Sequence, residues 1–213
     1  MHFITVPTGN LAEHFYAVRN TVVNFYIYQD DETAVAFDAG MNKRAALNGM
    51  RKIGIDPAAI KHLFLTHSDY DHTGGIEAFP NAAIYLPADE VQMLNHTTPR
   101  GAGRYNKDLP RPYMTLCDED TVNAGGLSVR AIATPGHTPG SMSYLLNETI
   151  LVAGDTMALA CGKARRFIIG MDKDQQEESL AKLAELEGIS LLCTAHGGCT
   201  TDFQKAMEGW GGK

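Results

Sequence analysis

Tryptophan occurs once in the 213 residues, and the four cysteines form no C-x-x-C pair. The missing pair argues against a structural zinc knuckle. Cys117, Cys161, Cys193 and Cys199 are therefore expected to be free thiols, as suits a reducing cytoplasm. No apolar run approaches the roughly 20 residues that span a bilayer. The start, Met1-His2-Phe3-Ile4-Thr5-Val6-Pro7, lacks the charged end and apolar core of a secretory signal, so a cytoplasmic protein without a membrane partner is expected. Basic charge is also scarce: 18 Lys and Arg stand against 25 Asp and Glu, a net charge of -7. A nucleic-acid backbone needs a basic face, so nucleic acid is excluded as the main partner. Repeats, charge blocks and low-complexity tracts are absent. The hydrophobic fraction of 44% and charged fraction of 20% are those of an ordinary globular chain. Its length suits one well-buried domain over residues 1–213. Oligomeric state is not legible.

Strands and helices can be placed from periodicity and punctuation. Residues 21–28 and 33–37 flank the polar turn Gln29-Asp30-Asp31-Glu32 and predict a hairpin. Lys43 to Ile53 has helical spacing that Gly54 ends. A strand at 61–65, a short helix, a strand at 82–86 and a helix with Pro87 in its first turn follow. Residues 95–113 are rich in Gly, Pro and Arg without a period, which predicts a long functional or mobile loop. Strands are expected at 127–133, 142–146, 149–153 and 190–194, with helices from Asp174 to Glu187 and from Thr201. Two runs of β followed by α suggest two facing sheets with helices outside.

Chemistry concentrates where strands end. Thr66-His67-Ser68-Asp69-Tyr70-Asp71-His72-Thr73-Gly74-Gly75 places two imidazoles and two carboxylates in six positions after an apolar strand. These are ligand types for borderline divalent cations, and one tight loop gathers several at little entropic cost. Thr134-Pro135-Gly136-His137-Thr138-Pro139-Gly140 holds His137 in a rigid turn. Gly154-Asp155 and Ala195-His196-Gly197 each follow another strand. His2, His14, His62 and His96 lack this context and are expected to be surface or packing residues.

The order and context of these motifs resemble the metallo-β-lactamase superfamily along nearly the whole chain, from Asp38-Ala39-Gly40 through H-x-x-x-D-H and T-P-G-H-T-P-G-S to Ala195-His196-Gly197. The resemblance implies an αββα four-layer sandwich of two mixed β-sheets flanked by helices. It also implies a binuclear site: His67, the residue at 69 and His137 for one metal ion, Asp71, His72 and His196 for the other, with Asp155 bridging. Asp71 would in addition orient the attacking hydroxide, the catalytic role. The family usually has His where this chain has Asp69. Asp69 is either a direct ligand, as Glu is in the related flavodiiron proteins, or acts through a water, or marks a degenerate site. As a ligand it would make the filled centre less positive, raise the pH at which bound water ionises and admit manganese or iron beside zinc. Asp69→His is then expected to lower the alkaline-side kinetic pKa.

The resemblance implies a hydrolase that uses a metal-bound hydroxide on a small ester-like molecule, thioester or lactone foremost. Two divalent ions, zinc first, are the expected cofactors. Glyoxalase II carries a helical C-terminal domain that grips glutathione, and only Gly197 to Lys213 follows the last ligand here. Arg165 and Arg166 can bind an anionic group of the substrate or lie as solvated charges. The 95–113 loop can act as a lid supplying Arg100, Arg104 or Tyr105. Cys161 and Cys199, near ligands in sequence, are more simply packing residues. The alternatives are an iron-dependent oxidoreductase of the same fold, persulfide dioxygenase-like or flavodiiron-like, and a non-catalytic metal- or ligand-binding module.

Overall fold

Alternation along the strands sorts side chains into three apolar layers, and a sandwich follows from that sorting. The computed structural model describes residues 5–212, so His2 lies outside the described residues. A seven-stranded sheet runs in sequence order: β1 (Gly9–Ala12), β2 (Phe15–Asn20), β3 (Val23–Gln29), β4 (Ala34–Phe37), β5 (His62–Phe64), β6 (Ala83–Pro87) and β7 (Tyr113–Leu116). The first four strands are antiparallel, and β4 to β7 pair in parallel. The second sheet has the order β15-β14-β11-β10-β9-β8. It is built from β8 (Thr121–Ala124), β9 (Leu127–Ala133), β10 (Met142–Leu146), β11 (Ile150–Val152), β14 (Leu191–Thr194) and β15 (Gly198–Thr200). Between them in sequence, β12 (Met157–Ala160) and β13 (Lys163–Arg166) make a separate hairpin.

On β3, Phe25 and Ile27 point outward to Ala46 and Met50 of helix α1 (Lys43–Lys52), whereas Tyr26 points between the sheets. On β10, Tyr144 and Leu146 face the inter-sheet layer with Phe37 and Phe64, whereas Leu145 faces outward. The outward side of the second sheet packs on Leu180 and Leu183 of α4 (Lys173–Ala184) and Phe203 of α5 (Phe203–Met207). Each fully buried Phe or Leu contributes about 1.5–3 kcal/mol of transfer free energy. The expected four layers are present.

Some boundaries differ from the sequence reading. Pro87 closes β6 and precedes a 3-10 turn, with a four-residue α3 (Val91–Leu94) beyond it, so proline stops a strand here and opens no long helix. Arg165 and Arg166 lie on β13, not on a loop. Strands β7 and β8 carry little sequence signal because they are four residues long and largely exposed, which leaves little alternation to detect.

Candidate metal centre

Four strand ends converge on one edge of the sandwich. The loop after β5 carries His67, Asp69 and, at α2 (Tyr70–Thr73), Asp71 and His72. The β9–β10 turn carries His137, the end of β11 leads to Asp155, and the β14–β15 turn carries His196. Backbone bonds pin these turns together across the sheets. Met142 donates to the Thr66 carbonyl at 2.9 Å, Asn24 to Ala195 at 2.9 Å, and Ala195 to Gly154 at 3.1 Å. Two glycines allow the close approach. A Cβ on Gly75 would meet the Ala39 carbonyl, and Gly136, at φ +126°, lies against the backbone of Gln176.

All seven predicted donors come together. His67, Asp69 and His137 form one set, and Asp71, His72 and His196 another. In the first, Asp69 Oδ2 lies 3.5 Å from His67 Nε2 and 3.2 Å from His137 Nε2. In the second, Asp71 Oδ2 lies 3.0 Å from His196 Nε2 and 3.7 Å from His72 Nε2. Asp155 Oδ2 borders both, 3.6, 3.5 and 3.4 Å from the Nε2 atoms of His72, His137 and His196. Tetrahedral coordination at about 2.0–2.1 Å puts donor atoms roughly 3.3 Å apart, so the spacing fits a divalent ion in either set. The Nε2 atoms of His67 and His72 and Oδ1 of Asp155 are buried without a hydrogen-bond partner. Such groups are costly to bury unless something coordinates them.

The electrostatics also favour a cation. Burial pushes the Asp155 carboxyl up, but His72, His137 and His196 outweigh it and hold it well below the usual range. Asp69 is likewise lowered, its burial overcome by hydrogen bonds from His137 and His67. Burial also opposes ionisation of Asp71, yet His72 and His196 bring it down to about 2. Burial lowers His72, while Asp38, Asp71 and Asp155 more than reverse the effect and raise it. Burial leaves His137 lowered, its lone pair retained for a ligand.

Residues behind the donors orient them. Asp38, itself at φ +63°, accepts hydrogen bonds from His72 Nδ1 at 2.8 Å and from the Thr66 amide at 2.8 Å. His196 Nδ1 bonds the Val22 carbonyl at 2.8 Å, and Phe167 stacks on its ring with centroids 5.1 Å apart. Fully buried Glu90 clamps two turns. One oxygen accepts from the Ser68 amide and hydroxyl at 2.8 and 2.6 Å, the other from Thr138 Oγ1 at 2.7 Å. From α4, Gln176 donates to the carbonyls of Asp155 and Thr156, and Ser179 to that of Pro135. Sequence reasoning missed Glu90, Gln176 and Ser179. Of these, only polar residues on an otherwise apolar helix face offered a signal.

Arg165 is exposed, and Arg166 faces Glu177 at 3.9 Å and the Phe167 carbonyl. Arg104 is exposed and bridges Gly101 through its backbone. Tyr105 lies over His96 and lines a groove with Ser68, Tyr70, Asn106 and Lys107. The residue that the 95–112 loop sends among the donors is Arg100. Its Nε lies 2.9 Å from both Asp69 oxygens, and its Nη2 lies 3.3 Å from His137 Nε2 and donates to the Ile169 carbonyl. Asn106 adds bonds to Ser68 Oγ and Asp69 Oδ1. Among the other histidines, His14 is exposed and His62 bonds the Tyr85 hydroxyl. Cys199 sits 3.4 Å from the Tyr26 hydroxyl, and Cys161 is exposed in the β12–β13 turn.

The family model described as the metallo-beta-lactamase superfamily matches residues 18–196. The probable metallo-hydrolase YqgX of Bacillus subtilis (strain 168) is 28% identical over 181 residues, covering 82% of this chain and 84% of its own. A hydroxyacylglutathione hydrolase of Gloeobacter violaceus is 32% identical over 182 residues, 81% of this chain and 63% of that one. For several hydroxyacylglutathione hydrolases the chain spans about half of the relative's length, 47% for that of Shewanella pealeana. Among solved structures, a metallo-beta-lactamase family protein of Thermus thermophilus superposes with a TM-score of 0.73. It is 23% identical, over 93% of this chain and 78% of that one, a likeness of fold.

Proposed function

We propose that this chain, which belongs to the metallo-β-lactamase superfamily, is a metal-dependent hydrolase that cleaves a small ester-like substrate, a thioester or a lactone. The observation that carries the reading is the single Asp155 oxygen bordering three imidazole nitrogens contributed by both sheets. The two positions would take divalent ions, zinc first, with His67, Asp69 and His137 holding one and Asp71, His72 and His196 the other. Asp155 serves both. Bound there, such ions would supply Lewis acidity and make a water easier to ionise.

The chain's own groups do the remaining work. Asp71, the most exposed donor at 27% and ionised at neutral pH, orients the attacking water. Phe167 covers His196 and lies near His137, which shields that side from bulk water. Ile168 and Ile169, which follow Phe167 in the chain, stay exposed and would offer apolar surface to an acyl group. The hydroxyacylglutathione hydrolase relatives, whose name denotes a thioester hydrolase, favour thioester. The four thiols are free, in keeping with a reducing compartment. No helix among the described residues is long and apolar enough to cross a membrane.

The test is a panel of thioester, lactone and phosphodiester substrates on metal-replete protein, with metal content measured in parallel. Turnover of thioester or lactone that disappears in His72→Ala is expected. Inertness toward all three classes in protein carrying stoichiometric iron would overturn the reading in favour of an oxidoreductase.

A further inference from the structure

Arg100 engages the same atoms that an ion in the first position needs. The Nε2 of an imidazole has one lone pair or one proton to offer. At His137 that atom is already shared between Asp69 Oδ2 at 3.2 Å and Arg100 Nη2 at 3.3 Å. Both oxygens of Asp69 lie 2.9 Å from Arg100 Nε, and Asn106 takes Oδ1 at 3.0 Å. A guanidinium does not lose its charge at any working pH, so it cannot yield by deprotonation. A divalent ion between His67, Asp69 and His137 would face that charge a few ångströms away in a largely buried pocket, where repulsion is poorly screened. The second position is different. Among the described residues the ion pairs of Asp71 are with His72 and His196, and no Lys or Arg takes part.

We infer that Arg100 is a built-in competitor for the first metal position: the chain holds one ion firmly at Asp71, His72 and His196, and a second binds only when Arg100 leaves Asp69 and His137. The replacement of the family's histidine by Asp69 then has a purpose, since a carboxylate forms an ion pair with a guanidinium and a neutral imidazole does not. Arg100 also reaches the Ile169 carbonyl, so its departure frees the 95–112 loop from the 167–171 segment and opens the mouth of the site. Metal loading of the first position and loop release become one event.

This inference rests on the metal-hydrolase reading, and the experiment separates the two. Zinc is titrated into wild type and Arg100→Met against a chromophoric chelator, and the zinc retained per chain is counted after dialysis. Hydrogen exchange over residues 97–106 is followed in the wild type as zinc rises from one to two equivalents. The expected result is one tight ion in the wild type with a second at least tenfold weaker, and two ions of similar affinity in Arg100→Met. Exchange in the loop should rise with the second equivalent only. Two ions of equal affinity in the wild type, or a loop indifferent to the second, overturn the Arg100 inference and leave the hydrolase reading intact. Failure of the wild type to bind zinc overturns both. The exchange measurement needs only the wild type, so it decides the matter even if Arg100→Met does not fold.

Discussion

Asp38 sits at the end of β4 with φ +63°, a conformation that Asp tolerates better than most residues. Its backbone is bent so that one carboxylate serves two partners, His72 Nδ1 and the Thr66 amide. With the Nδ1 proton held, the Nε2 lone pair of His72 faces Asp155 and Asp71. An amide cannot do this, because one of its two ends is a donor and would confront either Thr66 N–H or His72 Nδ1–H. Asp38→Asn is therefore expected to weaken metal binding by about 10–100-fold while the fold survives. Chelator competition measures the first and far-ultraviolet circular dichroism the second; an unaltered affinity would show that His72 orients itself. At the same scale, the sequence displayed every donor because each follows a strand and carries its own chemistry. Asp38 was visible only as part of a strand-end motif, since nothing local reveals that it reaches a residue 34 positions away.

Helix α4 does more than cover the second sheet. Leu180 and Leu183 are its apolar anchor, and that face was legible from spacing alone. Gln176 and Ser179 lie on the same buried side and spend their polar atoms on the carbonyls of Asp155, Thr156 and Pro135. One helix thereby fixes the turns that carry Asp155 and His137. Gln176→Leu would keep the bulk and leave two buried carbonyls without donors, at a cost of about 1–3 kcal/mol each if no water enters. A drop in the urea midpoint with an unchanged slope, together with weaker zinc binding, is the expected outcome. Glu90 plays the matching part in the other half. Glu90→Ala leaves the Ser68 amide and hydroxyl and the Gly140 amide without their acceptor, so a loss of about 3 kcal/mol is expected in the same measurement. The elements themselves were readable where an apolar run is buried on both faces, as on β3 and β10. Edge strands β7 and β8 are largely exposed, β12 and β13 are only four residues each, and the pairings that make them strands involve partners the local pattern does not name.

Over the whole molecule, the donors are divided between the two sheets. His67, Asp69, Asp71 and His72 follow β5 of the first, whereas His137, Asp155 and His196 follow strands of the second. A bound ion is then a further cross-link between layers that also meet through the apolar interior, a few backbone bonds and side-chain bonds such as those of Tyr26, Tyr144 and Glu90. The unfolded chain cannot present these donors at the same spacing, so binding should translate almost fully into folding stability. At a free zinc concentration about 100 times the dissociation constant the gain is about 2.7 kcal/mol. For a chain of this length 1 kcal/mol moves the melting temperature by roughly 2–4 °C, so zinc against chelator should separate two melts by roughly 5–10 °C. His196→Ala removes a second-sheet donor from the tighter position and should erase most of that difference. Arg100→Met should enlarge it, because the first position then adds its own cross-link. Scanning calorimetry on the three proteins decides the point: equal shifts in all of them would mean that zinc binds elsewhere, and that the two sheets are held together without it.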